Sequence, residues 1–151
     1  MFFKKILLAF DISDGSLKAA EYAIHMSELE TAHLVFVHVM DDIKQGGVIG
    51  LRARYGDINL VKTYLKVRKK KALEWIHPIQ KKATDKGIET RIEILQEEGN
   101  SKIGVMTKYI KENNIDLVVI GSLGLSKFEQ LMGSFASGII RYSKCPVMVT
   151  R

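Results

Sequence analysis

The chain holds one cysteine, two prolines and one tryptophan in 151 residues. A single cysteine closes no internal disulfide, and a domain of this length needs none, because folding can bury about two-thirds of its unfolded surface. Long apolar runs are missing too. The longest near the start, Ile6–Phe10, has five residues, whereas a helical membrane span needs about 20. The same stretch lacks the long apolar core and small-residue cleavage site of a secretory signal. The expectation is a cytoplasmic protein without a disulfide or a membrane span. Hydrophobic residues at 46% exclude disorder as the main state.

Several chemical signatures are also absent. The histidines are His25, His33, His38 and His77. No two have metal-ligand spacing on one helix, and no H-E-x-x-H occurs. No G-x-x-x-x-G-K-[ST] follows a strand, so a Walker-type phosphate loop is not expected. No G-x-S-x-G surrounds Ser13, Ser122 or Ser134, which argues against a hydrolase triad. Cys145, before Pro146, reads as a small buried hydrophobe. His38, inside an apolar run, reads as a hydrogen-bonded core histidine.

What is present in excess is positive charge, and it is local. The net charge is +6, yet residues 51–86 alone hold eleven Lys and Arg against three acids. Such a patch can attract nucleic acid or an anionic surface. No aromatic residue interleaves with the run Arg68–Lys71, as a base-stacking surface would require. The window therefore reads as a solvated helix face with no specific nucleic-acid partner.

Hydrophobic periodicity divides the chain into alternating elements. Lys4–Asp11 reads as a strand buried on both faces, followed by a helix over Ser16–Leu29. His33–Met40, rich in Val and Phe, reads as a second buried strand. Asp41–Gly56 has no clear period and carries Gly46, Gly47, Gly50 and Gly56, so it reads as a long loop. Val61, Leu65, Ala72, Ile76, Ile79 and Ala83 mark one face of a helix over 59–86, which Pro78 should kink or split. Glu89–Gln96 alternates and reads as a half-exposed edge strand. Asn100 or Ser101 can cap a helix reaching Asn113. Asp116–Gly121 is a further buried strand, then a glycine-containing loop, a helix over Phe128–Tyr142, and a short last strand, Pro146–Arg151. No repeat or linker interrupts this order, so one domain over 1–151 is expected.

Strands alternating with helices imply right-handed crossovers and a parallel α/β sheet covered on both faces. Ligands in such sheets sit at the carboxyl ends of the strands, where strand order reverses. Asp11 ends the first strand and Val39 lies at the end of the second. Gly121-Ser122-Leu123-Gly124 follows another, and Gly133-Ser134 lies at the start of a helix. Glycines there let backbone amides approach a ligand closely. A helix N-terminus is a natural phosphate site. Turn or packing roles for Gly121, Gly124 and Gly133, and a turn-bracing role for Asp11, are the alternatives.

On three stretches the sequence resembles the universal stress protein family. They are KKILLAFDISDGSLKAAEYA, LVFVHVMD and DLVVIGSLGLSKFEQLMGSFASGIIRYSKCPVMVTR. Nucleotide-binding members of that family carry G-x-x-G, nine residues, then Gly-Ser or Gly-Thr. Here eight residues, Leu125–Met132, separate Gly121-x-x-Gly124 from Gly133-Ser134. The resemblance implies a five-stranded doubly wound parallel sheet ordered 3-2-1-4-5. It implies an adenine-nucleotide site in which Asp11 contacts the nucleoside and Val39 lines the base. Gly121, Gly124, Gly133 and Ser134 would hold ribose and phosphates. The implied ligand is ATP with Mg²⁺, or AMP or another adenine nucleotide. The family's pairing of the last strand implies a homodimer. Phe135, bulkier than the residue often found there, would crowd the phosphates, and the shorter spacer would harm the triphosphate half of the site more than the adenosine half. The expected role is a stress-response switch or sensor and not a dedicated enzyme. A dimeric interaction module without ATP and a slow nucleotide hydrolase are the alternatives.

Overall fold

Five apolar segments supply a parallel sheet, and the helices between them cover its two faces. The computed structural model describes residues 2–11, 14–42, 47–97, 99, 101–122 and 132–151. The element order is β1 (Lys5–Ala9), α1 (Asp14–Glu30), β2 (His33–Met40), α2 (Gly47–Arg54), α3 (Ile58–Thr84), β3 (Thr90–Gln96), α4 (Lys102–Glu112), β4 (Leu117–Gly121), α5 (Ser134–Tyr142) and β5 (Val147–Thr150). The strands lie in the order β3-β2-β1-β4-β5, all pairs parallel. This is the doubly wound 3-2-1-4-5 sheet. Strand order reverses at β1, where Leu7 pairs with Val35 on one side and Val118 on the other.

Side chains alternate across a strand, so β1 feeds two cores. Ile6 and Leu8 pack with α1 (Ala19, Ala23) and α3 (Ile76, Ile79). Leu7 and Ala9 pack with α4 (Met106, Ile110) and α5 (Ala136, Ile139). Thus α1 and α3 cover one face, α4 and α5 the other. The edge strand β3 is half-buried along its length, as its alternating sequence requires.

Four expectations are corrected. The segment read as a loop contains α2, since Leu51, Arg52, Ala53 and Arg54 favour helix and Gly50 is buried. Two of the glycines that hid this helix, Gly47 and Gly50, sit in its first turn, where Gly47 takes φ +65°. Second, α3 runs unbroken through Pro78. Pro78 is exposed, and Ile76, Ile79 and Ala83 around it are buried. Their burial outweighs the lost hydrogen bond, a cost of about 3 kcal/mol. Third, α5 begins at Ser134 and not at Phe128; Met132 is outside the helix and exposed. Residues 123–131, and with them Gly124 and most of the eight-residue spacer, lie outside the described residues. Fourth, Cys145 is half-buried.

Helix starts follow local chemistry. The Asp57 carboxylate accepts from the Leu60 amide at 3.3 Å, and Ser101 Oγ accepts from the Gly104 amide at 3.1 Å. Each satisfies one of the donors a helix start leaves unbonded. Asn100 lies outside the described residues. Among the described residues no helix is long and apolar enough to cross a membrane.

Candidate functional site

A cavity of about 700 Å³ opens at the carboxyl ends of β1, β2 and β4. Asp11, Val39, Gly121 and Gly133, four of the six residues singled out from sequence, line it. Ser134 opens α5 beside Gly133 but is exposed, and its side chain is not among those facing the cavity. Gly124, the sixth, lies outside the described residues.

Asp11 is held by Ser16, a residue the sequence reading passed over. The Asp11 amide donates to Ser16 Oγ at 3.0 Å, and the Ser16 hydroxyl donates back to the Asp11 carboxylate. Ser16 is buried in the first turn of α1. The carboxylate is thereby oriented at the cavity wall, as a fixed acceptor for hydroxyl or amino groups.

Gly121 has a packing role beside any ligand role. A Cβ there would lie 3.0 Å from the carbonyl carbon and oxygen of Gly15. Backbone cannot yield as a side chain can, so the end of β4 and the first turn of α1 need glycine to meet.

The start of α5 reaches the cavity without a side-chain cap. Its N-cap is Gly133, which provides no side-chain acceptor, and no acidic residue occupies the first turn. The Gly133 amide donates to the Ser122 carbonyl at 2.7 Å, tying α5 to the end of β4. The amides of Ser134, Phe135 and Ala136 then form the helix's unpaired positive end. Gly133 thus positions the site and does not itself donate to it.

The cavity also carries positive charge, part of which reads in sequence as a solvated face. Arg68 and Lys71 of α3 and Lys102 of α4 all line the cavity. Asp41, just past β2, lies 2.5 Å from Lys102 Nζ and 3.4 Å from an Arg68 guanidinium nitrogen. The Lys102 hydrogen bond holds the Asp41 carboxyl below the usual carboxylate range, with Arg68 adding to it against partial burial. Arg68 also sits over the Tyr64 ring, 5.7 Å from its centroid.

His38 is hydrogen-bonded, as expected, but it is half-buried and faces the cavity. Its Nδ1 lies 2.7 Å from the Phe10 carbonyl. Burial lowers its pKa from the ordinary 6.5, helped by Lys102 and Arg68 and opposed by the Phe10 bond and Asp11. A neutral ring donating from Nδ1 keeps Nε2 as an acceptor. Among the described residues no group of three His, Cys, Asp or Glu could hold a metal ion.

Apolar walls from Val37, Val39, Met40 and Ile120 therefore share the cavity with the start of α5 and three cationic side chains. Such a cavity suits a flat, partly apolar group bearing an anion. A 3-2-1-4-5 parallel sheet with its cleft at the strand-order reversal defines a doubly wound α/β protein. More particularly, the chain belongs to the universal stress protein family, whose model matches residues 2–151.

A universal stress protein of Bacillus subtilis, YxiE, is 29% identical over 154 residues, covering 99% of each chain. One of Methanocaldococcus jannaschii is 30% identical over 150 residues, covering 99% of this chain and 82% of its own. Among solved structures, a universal stress protein of Lactobacillus plantarum superposes with a TM-score of 0.83 at 22% identity, covering 100% of this chain and 99% of its own. An Archaeoglobus fulgidus member in complex with dAMP gives 0.64 at 22% identity, covering 100% of both chains. A universal stress protein in complex with cAMP gives 0.65 at 18% identity, covering 100% of this chain and 99% of its own. These structural likenesses are of fold.

Proposed function

We propose that the chain binds an adenine nucleotide in this cavity and works as a stress-response switch or sensor, not as a dedicated enzyme. One observation carries the reading: Asp11, Val39, Gly121 and the start of α5 converge on a single cavity at the strand-order reversal. Val39 and Met40 would flank the base, and Asp11, oriented by Ser16, would accept from the nucleoside. The amides at the start of α5, that of Ser134 among them, and the Gly121–Gly124 loop would hold the phosphates. ATP with Mg²⁺ is one ligand. Phe135 lines the cavity at the phosphate end, which favours ligands with fewer phosphates. The complexes of two family structures with dAMP and cAMP support an adenine monophosphate scale for the ligand.

Calorimetric titration with AMP and ATP tests the reading. Binding of AMP with an affinity within about tenfold of ATP is expected, and Asp11→Ala should weaken both by tenfold or more. Phe135→Val should improve ATP more than AMP. A ligand at about 100 times its Kd adds about 2.7 kcal/mol to stability. Absence of heat and of any rise in Tm with either nucleotide would refute the proposal in favour of an interaction module.

The proposed assembly is a homodimer through β5, a four-residue edge strand. The Pro146 carbonyl accepts from Val118 and the Thr150 carbonyl from Ser122, both on the β4 side. By strand alternation the amides and carbonyls of Val147 and Val149 face outward, where a second β5 could pair with them.

A further inference from the structure

We infer that the α2–α3 ridge is a docking surface for anionic lipid headgroups. Lys62, Lys66, Lys69 and Lys70 of α3 are exposed. Among the described residues none of the four pairs with a carboxylate, whereas Arg52, Arg68, Lys81 and Lys86 each do. Lys66 follows Lys62 by four residues, and Lys69 and Lys70 follow Lys66 by three and four, which puts all four on one side of the helix. That side adjoins the one α3 buries with Ala72, Ile76, Ile79 and Ala83, and all four lysines on it are exposed.

Charge alone would describe a solvated face. The second observation is apolar. Ile58 opens the lysine row and is 64% exposed. The adjoining α2 and its turn present Val48, Leu51 and Tyr55, exposed by 70%, 50% and 83%. These follow at i, i+3 and i+7, one face of a helix. Four large exposed apolar side chains, three of them on the helix and turn that precede α3 and pack against it, together with these lysines match the interfacial pattern of shallow apolar insertion with cations on headgroup phosphates. Three of the four are aliphatic or β-branched and offer no ring for a nucleobase, which favours lipid over nucleic acid. The surface requires no membrane-crossing helix and uses no residue of the cavity.

Sedimentation with vesicles tests this on the full chain. Phosphatidylcholine vesicles holding about one-third phosphatidylglycerol should bind the protein at about 0.1 M salt, and phosphatidylcholine alone should not. About 0.5 M salt should release it. Lys66→Glu with Lys69→Glu should weaken binding by roughly tenfold or more. Leu51→Asn with Ile58→Asn, which leaves charge unchanged, should weaken it several-fold. All four positions are exposed, so melting should stay near wild type. As a readout independent of those variants, Tyr55→Trp in a Trp75→Phe background should emit at shorter wavelength with anionic vesicles only. Equal binding to both vesicles, no binding, or a charge-reversal variant that binds like wild type overturns the inference. So does duplex DNA or RNA that strips the protein from vesicles at equal phosphate concentration, which would assign the ridge to nucleic acid.

Discussion

Asp41 and Lys102 meet at 2.5 Å across the carboxyl edge of the sheet. Lys102 begins α4 on one face, while Arg68, the second cation on Asp41, rises from α3 on the other. One carboxylate past the tip of β2 thus joins the two helical layers at the cavity wall.

Removing that carboxylate should change the acid limb of stability. The folded pKa of Asp41 is depressed from 3.8, so its contribution is fully present above that value. It is lost as pH falls through the lower folded value. The side chain is 60% exposed, so solvent screening keeps the contribution below about 1 kcal/mol. Asp41→Asn should cost that little at pH 7, and urea denaturation below pH 4 should show a shallower pH slope than wild type. An unchanged slope would mean Asp41 titrates as in the unfolded chain.

His38 should act in a different window. Its folded pKa lies below the ordinary 6.5, so the folded state prefers the neutral ring. Stability should therefore be full above pH 6.5 and fall as pH drops from there toward the folded value. His38→Gln should flatten that part of the profile in Tm measurements. A proton NMR titration of the His38 ring should give a midpoint below 6.5; a midpoint above it would contradict the burial argument.

The contact between α4 and α5 depends on a missing side chain. A Cβ on Gly138 would fall 2.3 Å from Ile103 Cδ1 and 2.8 Å from Cγ1. Gly138→Ala should destabilise the fold by about 1–3 kcal/mol, since overpacking forces neighbours off their rotamers. Ile103→Ala in the same chain should recover part of that loss. Simple additivity of the two costs in a double-mutant cycle would show that the two residues do not clash.

The proposed β5 pairing can be separated from folding. Val149→Pro removes an outward-facing amide while leaving the Pro146 and Thr150 carbonyls bonded to β4. Light scattering at micromolar concentration should give a dimer mass for wild type and a monomer for the variant, with a similar thermal transition. A wild-type monomer would remove the dimer from the account.

Much of this architecture is legible in the sequence because each buried strand reads as its own apolar run. Leu7, Val35 and Val118 lie in three such runs and end as neighbours in one sheet. Asp11, Val39 and Gly121, which line the cavity, stand out in the sequence because strand ends are where the chain changes character. The helix α2 was hidden by its glycines, whose cost the burial of Gly50 and packing against α3 offset. Arg68 and Lys71 read in sequence as a solvated face because a charge run says nothing of which helix edge each residue occupies. The Asp41–Lys102 pair spans 61 positions, and no local period marks it. Ser16 could have been found: a serine five residues after a strand-terminal aspartate can return to it across a tight turn.

The first half of α3 rests on little. Its buried residues begin at Ala72, fourteen positions into a helix of 27 residues. Tyr64, Val67, Arg68 and Lys71, from the preceding turns, face the cavity. That half should open locally at far lower free energy than the half anchored by Ile76 and Ile79, and its amides should exchange with solvent first. A molecule seated in the cavity would add a packing partner to those turns, which now pack against α2. Ligand would then serve the protein as a removable piece of its own interior, and occupancy would be reported as order along α3.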